Sequence, residues 1–481
     1  MFSPQSIQME ELNKDSGRIS RSSDNDDDFG NVSVTNDMIT YGAEDININR
    51  SNTSSSESDI SYCGIKGNSV LSGILNICSS AIGAGCLTFP YIISNLGILY
   101  SSIIFIVVVS CIYFSIDLLR RFVVDTKYFS YSLMTETTLG KKWLMVYSIS
   151  SFIFYLSGCI NYINLLYSIF KSSFVSHDKL YGFTFLLITC SIEIFLCLYT
   201  SKTRKINLFS LITMLNFTII VFITFVGAIL SSFEDGYLSK KFSSTNLYNT
   251  GNDMIFFTCI TACIKFIYAY SYHCSYPTLL GNLKSTNDKN IQKVHHMSFI
   301  IITVSYILIG FFGYLFKENV STVLFREYED SNEGGYLILA IKFILFFFLF
   351  SLIPNRYIVI RDGYISLIGK NNLTYKKDLL ITALSLILSN GIVYLNEELF
   401  VYEGHIQIDV FSIMVDIFGG LFGVIVSFGL PVINYAAVNG NRKLKSLVGY
   451  SLTGVFLVVG LLSFGYSFYE MFFINNNEED E

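Results

Sequence analysis

Apolar runs about twenty residues long recur along the chain, separated by short polar stretches, and each is long enough for one helical membrane crossing. Eleven such runs are found, at roughly 69–94, 98–118, 144–169, 181–200, 207–231, 254–280, 297–316, 335–354, 378–396, 408–436 and 446–469. The ninth is short and the tenth long. Two of the eleven break their own pattern. The first carries "IGAGCLTFP", Ile82 to Pro90, with Gly83, Gly85 and Pro90 inside an otherwise apolar segment. The sixth reads "TACIKFIYAYSYHCSYPTLLGNL", polar and aromatic where lipid would favour aliphatic side chains, again with a proline, Pro277, beyond the irregular part.

Backbone polar groups facing lipid must be hydrogen-bonded internally, so a break is tolerated only where it lines a cavity. Gly83 and Gly85 let the chain leave helical geometry and let a ligand approach the backbone. Pro90 suits the restart of a second half-helix, whose free N–H groups and dipole favour a carboxylate. The freed carbonyls of the first half suit an ammonium or a cation. Close packing of small residues would explain one such segment equally well. Two interrupted segments five spans apart are better explained by two five-span halves in an inverted repeat, with a binding site between them. The expectation is an all-α polytopic membrane protein of 11 transmembrane helices: a 5+5 inverted repeat, one extra helix, and spans 1 and 6 discontinuous.

Composition agrees. Of 481 residues, 52% are hydrophobic and 15% charged, against roughly a quarter charged in soluble domains, and mean hydropathy is +0.50. Residues 1–66 differ: twelve acidic and five basic residues among Ser, Asn and Asp, including "SDNDDDFG". That segment reads as a disordered acidic tail, with no signal-peptide pattern. The domain expectation is this tail, a transporter domain over 67–470, and a short acidic tail over 471–481. Nine of the ten cysteines fall in apolar runs, which speaks against an extracellular disulfide framework.

Lysine and arginine orient the spans. With the N-terminal tail cytoplasmic, the inner loops carry nineteen, including Arg356 and Arg361 after span 8, and the outer loops six. The N-terminus is therefore expected inside, and Asn319 is the sequon left facing outward for a glycan. His295 and His296 fall in a cytoplasmic loop and read as solvated.

"SGILNICSSAIGAGCLTFPYIISNLG" resembles the opening signature of the amino acid/auxin permease family, similar in architecture to the LeuT-like transporters. "SYILIGFFGYLFKENV" with Tyr306, Gly310, Gly313 and Tyr314, "SLIPNRYIVIRD", and "DIFGGLFGVIVSFGLPVINY" resemble later parts of the pattern, over roughly 68–470. The resemblance implies secondary active transport of amino acids, generally driven by protons or sodium. It also implies symport by alternating access around the broken spans.

Candidate substrate contacts are the backbone of Ile82, Gly83, Ala84 and Gly85, with Tyr268, Tyr270, Ser271 and Tyr272 lining the pocket and Asn161 and Tyr162 beside them. An ionisable residue inside the membrane is a functional hypothesis by default, which makes Lys265, Lys342 and His273 candidates for coupling or gating, with Ser79 as a polar group in span 1. Glu193 and Asp416 read as packing or gating residues. In sodium-coupled relatives span 8 supplies a hydroxyl beside the break of span 1. The matching region here is Phe346, Phe347 and Phe348, and no Ser or Thr occurs from Ile338 to Phe350. Proton coupling or facilitated diffusion is therefore favoured over sodium. No cofactor, metal cluster or nucleophile–base constellation is read, so an enzyme is not expected; nor are nucleic acid or an obligate protein partner. An amino-acid-sensing receptor on the same fold, signalling through the tail, is the alternative. Both a plasma membrane and a vacuolar or lysosomal membrane fit.

Overall fold

A computed structural model of the chain describes residues 67–173, 179–203, 206–233, 241–242, 255–316, 320, 323–324, 335–368, 374–396, 414–440 and 444–469. The tails 1–66 and 471–481 and the sequon Asn319 lie outside these residues.

The described elements are helical. Helix α1 spans Val70–Ala81, with the Ser69 hydroxyl accepting from Ser72 N at its start. A 3-10 turn follows at Ala84–Thr88, then α2 at Phe89–Thr126 with Pro90 in its first turn. A short α3, Tyr131–Leu139, precedes α4, Lys141–Ser173. Next come α5 (Lys179–Thr203), α6 (Ile206–Ser232), α7 (Ile255–Ala269) and α8 (Tyr276–Gly281). Then follow α9 (Asp288–Phe316), α10 (Gly335–Ile368) and α11 (Tyr375–Leu395). Helix α12 is the run Met414–Asn439, wound as a wide π coil through Gly429 and as α-helix from Leu430. Helix α13 spans Leu444–Tyr469.

Among the described residues nine helices are long and apolar enough to cross a membrane, while α1 and α7 are shorter apolar helices. These two shorter helices belong to the spans expected to be discontinuous. The first expected span is in pieces: α1, the 3-10 turn and the head of α2. Gly97, at φ 78° and ψ 162°, separates that head from the second span, a conformation open to glycine at little cost. The sixth expected span is split between α7 and α8. The eighth runs on instead of stopping at Pro354, because one missing N–H bends a well-packed helix without ending it.

The helix contacts carry the two-fold relation. Numbering spans in order, 1 packs on 5 as 6 packs on 10, and 1 on 7 as 6 on 2. Likewise 5 meets 8 as 10 meets 3, 5 meets 7 as 10 meets 2, and 3 meets 9 as 8 meets 4. The pairs 2 with 7, 3 with 8 and 4 with 9 map onto themselves. Exchanging each span with the one five later preserves every one of these contacts, as two equivalent halves require. Helix α13 lies outside the exchange, against spans 6 and 10.

At the ends remote from the breaks, α1 and α8 are joined through the backbone. Asn68 N donates to Asn282 O (2.8 Å) and Lys284 N to Asn68 O (2.9 Å). Side-chain amides continue the tie: Asn207 Nδ2 donates to Asn68 Oδ1 (2.8 Å) and Asn76 Nδ2 to Asn207 Oδ1 (2.7 Å).

Candidate functional site

Helix α1 stops because Ile82 adopts extended backbone (φ −70°, ψ 113°) and Gly83 follows it, also extended. The two glycines are required by what approaches them. A Cβ on Gly83 would run into the Tyr162 hydroxyl and lie 3.1 Å from Arg356 Nη2. One on Gly85 would lie 3.2 Å from both Ala269 Cα and Tyr268 Cδ1. The break of span 1 is therefore the place where spans 3, 6 and 8 reach its backbone. Two of its carbonyls are used locally: Gly83 O accepts from Cys86 Sγ (3.0 Å) and Gly85 O from Thr88 Oγ1 (2.8 Å). The first N–H groups of the 3-10 turn have no partner within it.

In span 6 the chain leaves α7 after Ala269 and resumes at Tyr276. Two carbonyls of this break are taken by other spans: Tyr155 Oη donates to Ser271 O (3.0 Å) and Tyr306 Oη to Ala269 O (2.8 Å). The Tyr306 hydroxyl also lies 2.9 Å from Ala81 O, the last carbonyl of α1. One phenol in span 7 thus stands on the freed carbonyl ends of both broken helices. Ser271 Oγ bonds back to Ile267 O (2.6 Å) and meets Ser427 Oγ of α12 (3.1 Å).

Arg356 is the charge at this centre. Its residue is 6% exposed, its Nε donates to Tyr162 Oη at 3.0 Å, and its guanidinium lies over the rings of Tyr155 (5.2 Å) and Tyr162 (5.8 Å). None of the ion pairs among the described residues includes it. The expectation that it belongs to an inner loop is corrected. Helix α10 does not end at Pro354; it continues and carries Arg356 against Gly83.

The structure brings Gly83, Gly85, Asn161, Tyr162 and Tyr268 together. Asn161 Nδ2 donates to Tyr268 Oη (3.3 Å), and Asn161 Oδ1 is buried without a hydrogen-bond partner. Ile82, Ala84 and Tyr272 are buried in the same core, and the Tyr272 hydroxyl has no partner. His273 lies in the break of span 6, fully buried, with neither ring nitrogen hydrogen-bonded.

Other candidates point elsewhere. Tyr270 Oη donates to Thr303 Oγ1 of span 7 (3.1 Å), and Ser79 Oγ bonds back to Asn76 O (3.0 Å). Lys342 Nζ donates to Ser172 O at the end of α4 (3.2 Å), fourteen residues and about 21 Å of helix from Arg356. Lys265, 8% exposed, has its ammonium 5.7 Å from the Tyr91 ring. Glu193 accepts from Asn390 Nδ2 (3.2 Å), and Asp416 from Ser467 Oγ (3.1 Å), so each joins neighbouring spans.

Two further readings change. Phe346 packs with Phe185 and Phe350, and Phe348 with Phe217, so these rings face spans 4 and 5 while Arg356 is the span 8 residue at the first break. His295 is fully buried and paired with the Tyr276 hydroxyl (3.0 Å), because the span 7 helix begins at Asp288 and includes it. Arg356, Tyr155 and Tyr306 are the residues that sequence reasoning missed as part of the centre. An arginine followed at once by "YIVI" was the available signal for the first. Tyrosine is too common here, 32 in all, for the other two to stand out.

The chain matches the family described as "Transmembrane amino acid transporter protein" over residues 66–473. A relative named "Putative amino acid transporter AAT1" from Plasmodium berghei is 24% identical over 309 residues, 62% of this chain and 47% of that protein. The match therefore spans about half the length of that relative. A Xenopus laevis relative named "Putative sodium-coupled neutral amino acid transporter 10" is 25% identical over 52% of this chain and 24% of its own length. In fold the chain is similar to a manganese transporter of Eremococcus coleocola, with TM-score 0.57, 14% identity, and coverage of 86% of this chain and 89% of that one. It is also similar to MhsT, solved with L-phenylalanine, with TM-score 0.53, 14% identity, and coverage of 84% and 99%.

Proposed function

Because the chain belongs to the transmembrane amino acid transporter family, we propose that it carries amino acids by alternating access around the paired breaks of spans 1 and 6, without sodium. The observation that carries the sodium-independent reading is Tyr306. In transporters of this architecture the carbonyls freed at broken helices are where a coupling cation is held. Here the hydroxyl of Tyr306 stands on Ala81 O and Ala269 O, at 2.9 and 2.8 Å. A sodium ion placed there would have to displace the phenol. The frog relative is named sodium-coupled, but the occupied carbonyls argue against carrying that property over.

A proton gradient is the drive this reading favours. His273 is the histidine within the break, buried with neither ring nitrogen hydrogen-bonded, and imidazole is the side chain suited to proton exchange wherever a site opens to water. Lys265 and Lys342 lie on the flanks, against Tyr91 and the end of α4. The lysine and arginine content of the loops supports a cytoplasmic N-terminus, and a plasma membrane or an acidic vacuolar or lysosomal one fits this reading.

The test is uptake of an amino-acid mixture into proteoliposomes of the purified full chain, with pH and sodium gradients imposed separately. Uptake that ignores sodium is expected, as is loss of the response to the pH gradient in His273→Asn. Uptake driven by sodium overturns the coupling reading. Specific binding with no uptake under any gradient overturns transport in favour of a receptor.

A further inference from the structure

Two polar groups of opposite character beside the break of span 1 keep unused bonding capacity. The first is the Arg356 guanidinium, held by one hydrogen bond and two aromatic rings and in no ion pair. The second is Asn161 Oδ1, a buried acceptor with nothing donating to it. They belong to one wall: Asn161 donates to Tyr268 while its neighbour Tyr162 accepts from Arg356, and Gly83 and Gly85 press against those same two tyrosines.

We propose that Arg356 receives the carboxylate of the carried amino acid and Asn161 Oδ1 its ammonium, so that the site takes neutral and acidic amino acids and rejects cationic ones. The inference rests on the transport reading above. A guanidinium removed from water without a counter-charge is costly, and ring faces return only part of that cost. A carboxylate matches its forked donors in geometry and charge. Once the α-carboxylate is on Arg356, the ammonium needs an acceptor, and the unsatisfied amide oxygen supplies one. A second positive charge, as in lysine or arginine, would meet Arg356 itself. No buried carboxylate of the described spans pairs with it: Asp378 is bound by Arg361, Glu193 lies against Asn390 and Asp416 against Ser467. An acidic side chain adds negative charge near a cation and is tolerated.

The experiment uses the full-length protein in nanodiscs. Binding of the twenty standard amino acids is compared first. L-leucine is then set against L-leucinol, and L-phenylalanine against L-phenylalaninol, in which a hydroxymethyl group replaces the carboxylate. The wild type is expected to prefer each acid over its alcohol by roughly ten- to a hundredfold, the range of a charge-assisted hydrogen bond. It is expected to bind L-lysine and L-arginine at least about tenfold more weakly than the best neutral amino acid. In Arg356→Gln the acid and alcohol should bind alike, with alcohol binding retained as proof of a folded site, while Arg356→Lys keeps part of the preference. Arg356→Gln with the full acid preference overturns the proposal, and so does wild-type binding of L-lysine equal to that of neutral amino acids. The second result needs no variant to fold. Failure of the wild type to bind any amino acid overturns the transport reading, and this inference with it.

Discussion

The breaks of spans 1 and 6 occupy equivalent positions in the two halves, yet they are built from opposite materials. The first, Ile82-Gly83-Ala84-Gly85, has almost no side chain and lets its neighbours come to the backbone. The second, Tyr270 to Ser275, is bulky and polar, and it is held by bonds from spans 3, 7 and 10. They meet where Gly85 faces Ala269 and Tyr268. Both halves need a helix to end inside the membrane, and an ended helix must satisfy its polar groups. The first adds small, local donors, Cys86 and Thr88, to the Tyr306 hydroxyl on Ala81 O; the second takes tyrosine hydroxyls from spans 3 and 7 and adds its own Ser275. The bare break is thereby suited to present backbone to a ligand, and the bulky one to shape the pocket and sense its contents.

Gly83→Ala attacks the bare break where it is tightest, and the largest effect is expected there. The added methyl meets the Tyr162 hydroxyl and lies 3.1 Å from Arg356 Nη2, and overpacking of this kind costs about 1–3 kcal/mol. Uptake should fall by about ten- to a hundredfold. The same change in a Tyr162→Phe background should cost less, because the conflicting oxygen is gone; an equal loss in both backgrounds would show that the approach of Tyr162 is not the reason for the glycine.

Tyr306→Phe tests the link between the breaks. It removes the single O–H that two buried carbonyls share, and the expected loss is about 1–3 kcal/mol in denaturation of the detergent-purified protein. Sodium should gain an influence on stability that it lacks in the wild type. Stability and sodium response both unchanged would mean that the phenol does not hold the two helix ends.

Ser271→Ala is the mildest of the three. Its hydroxyl bonds back to Ile267 O and meets Ser427 Oγ, while the carbonyl of residue 271 keeps its bond from Tyr155. A change of about 1 kcal/mol or less is expected, measured in the same denaturation series. A loss larger than that of Tyr306→Phe would reverse the ranking of side-chain and backbone contacts at the second break.

Much of this was legible from the chain alone. Apolar runs report the solvent around a helix, glycine and proline report where helical geometry is abandoned, and two such interruptions five spans apart report the repeat. Those signals are local, because they depend on the backbone and on lipid. Three things required the tertiary structure. Pro354 could end a helix or bend one, and only packing against α4 and its neighbours decided that α10 continues and carries Arg356 to Gly83. Tyr306 is one of many tyrosines until the carbonyls of Ala81 and Ala269, 188 residues apart in sequence, are seen on either side of its hydroxyl. His295 reads as solvated until Tyr276 is found against it. In each case the outcome turned on which distant residue supplies a hydrogen bond or fills a space, and hydrophobic pattern does not encode that choice.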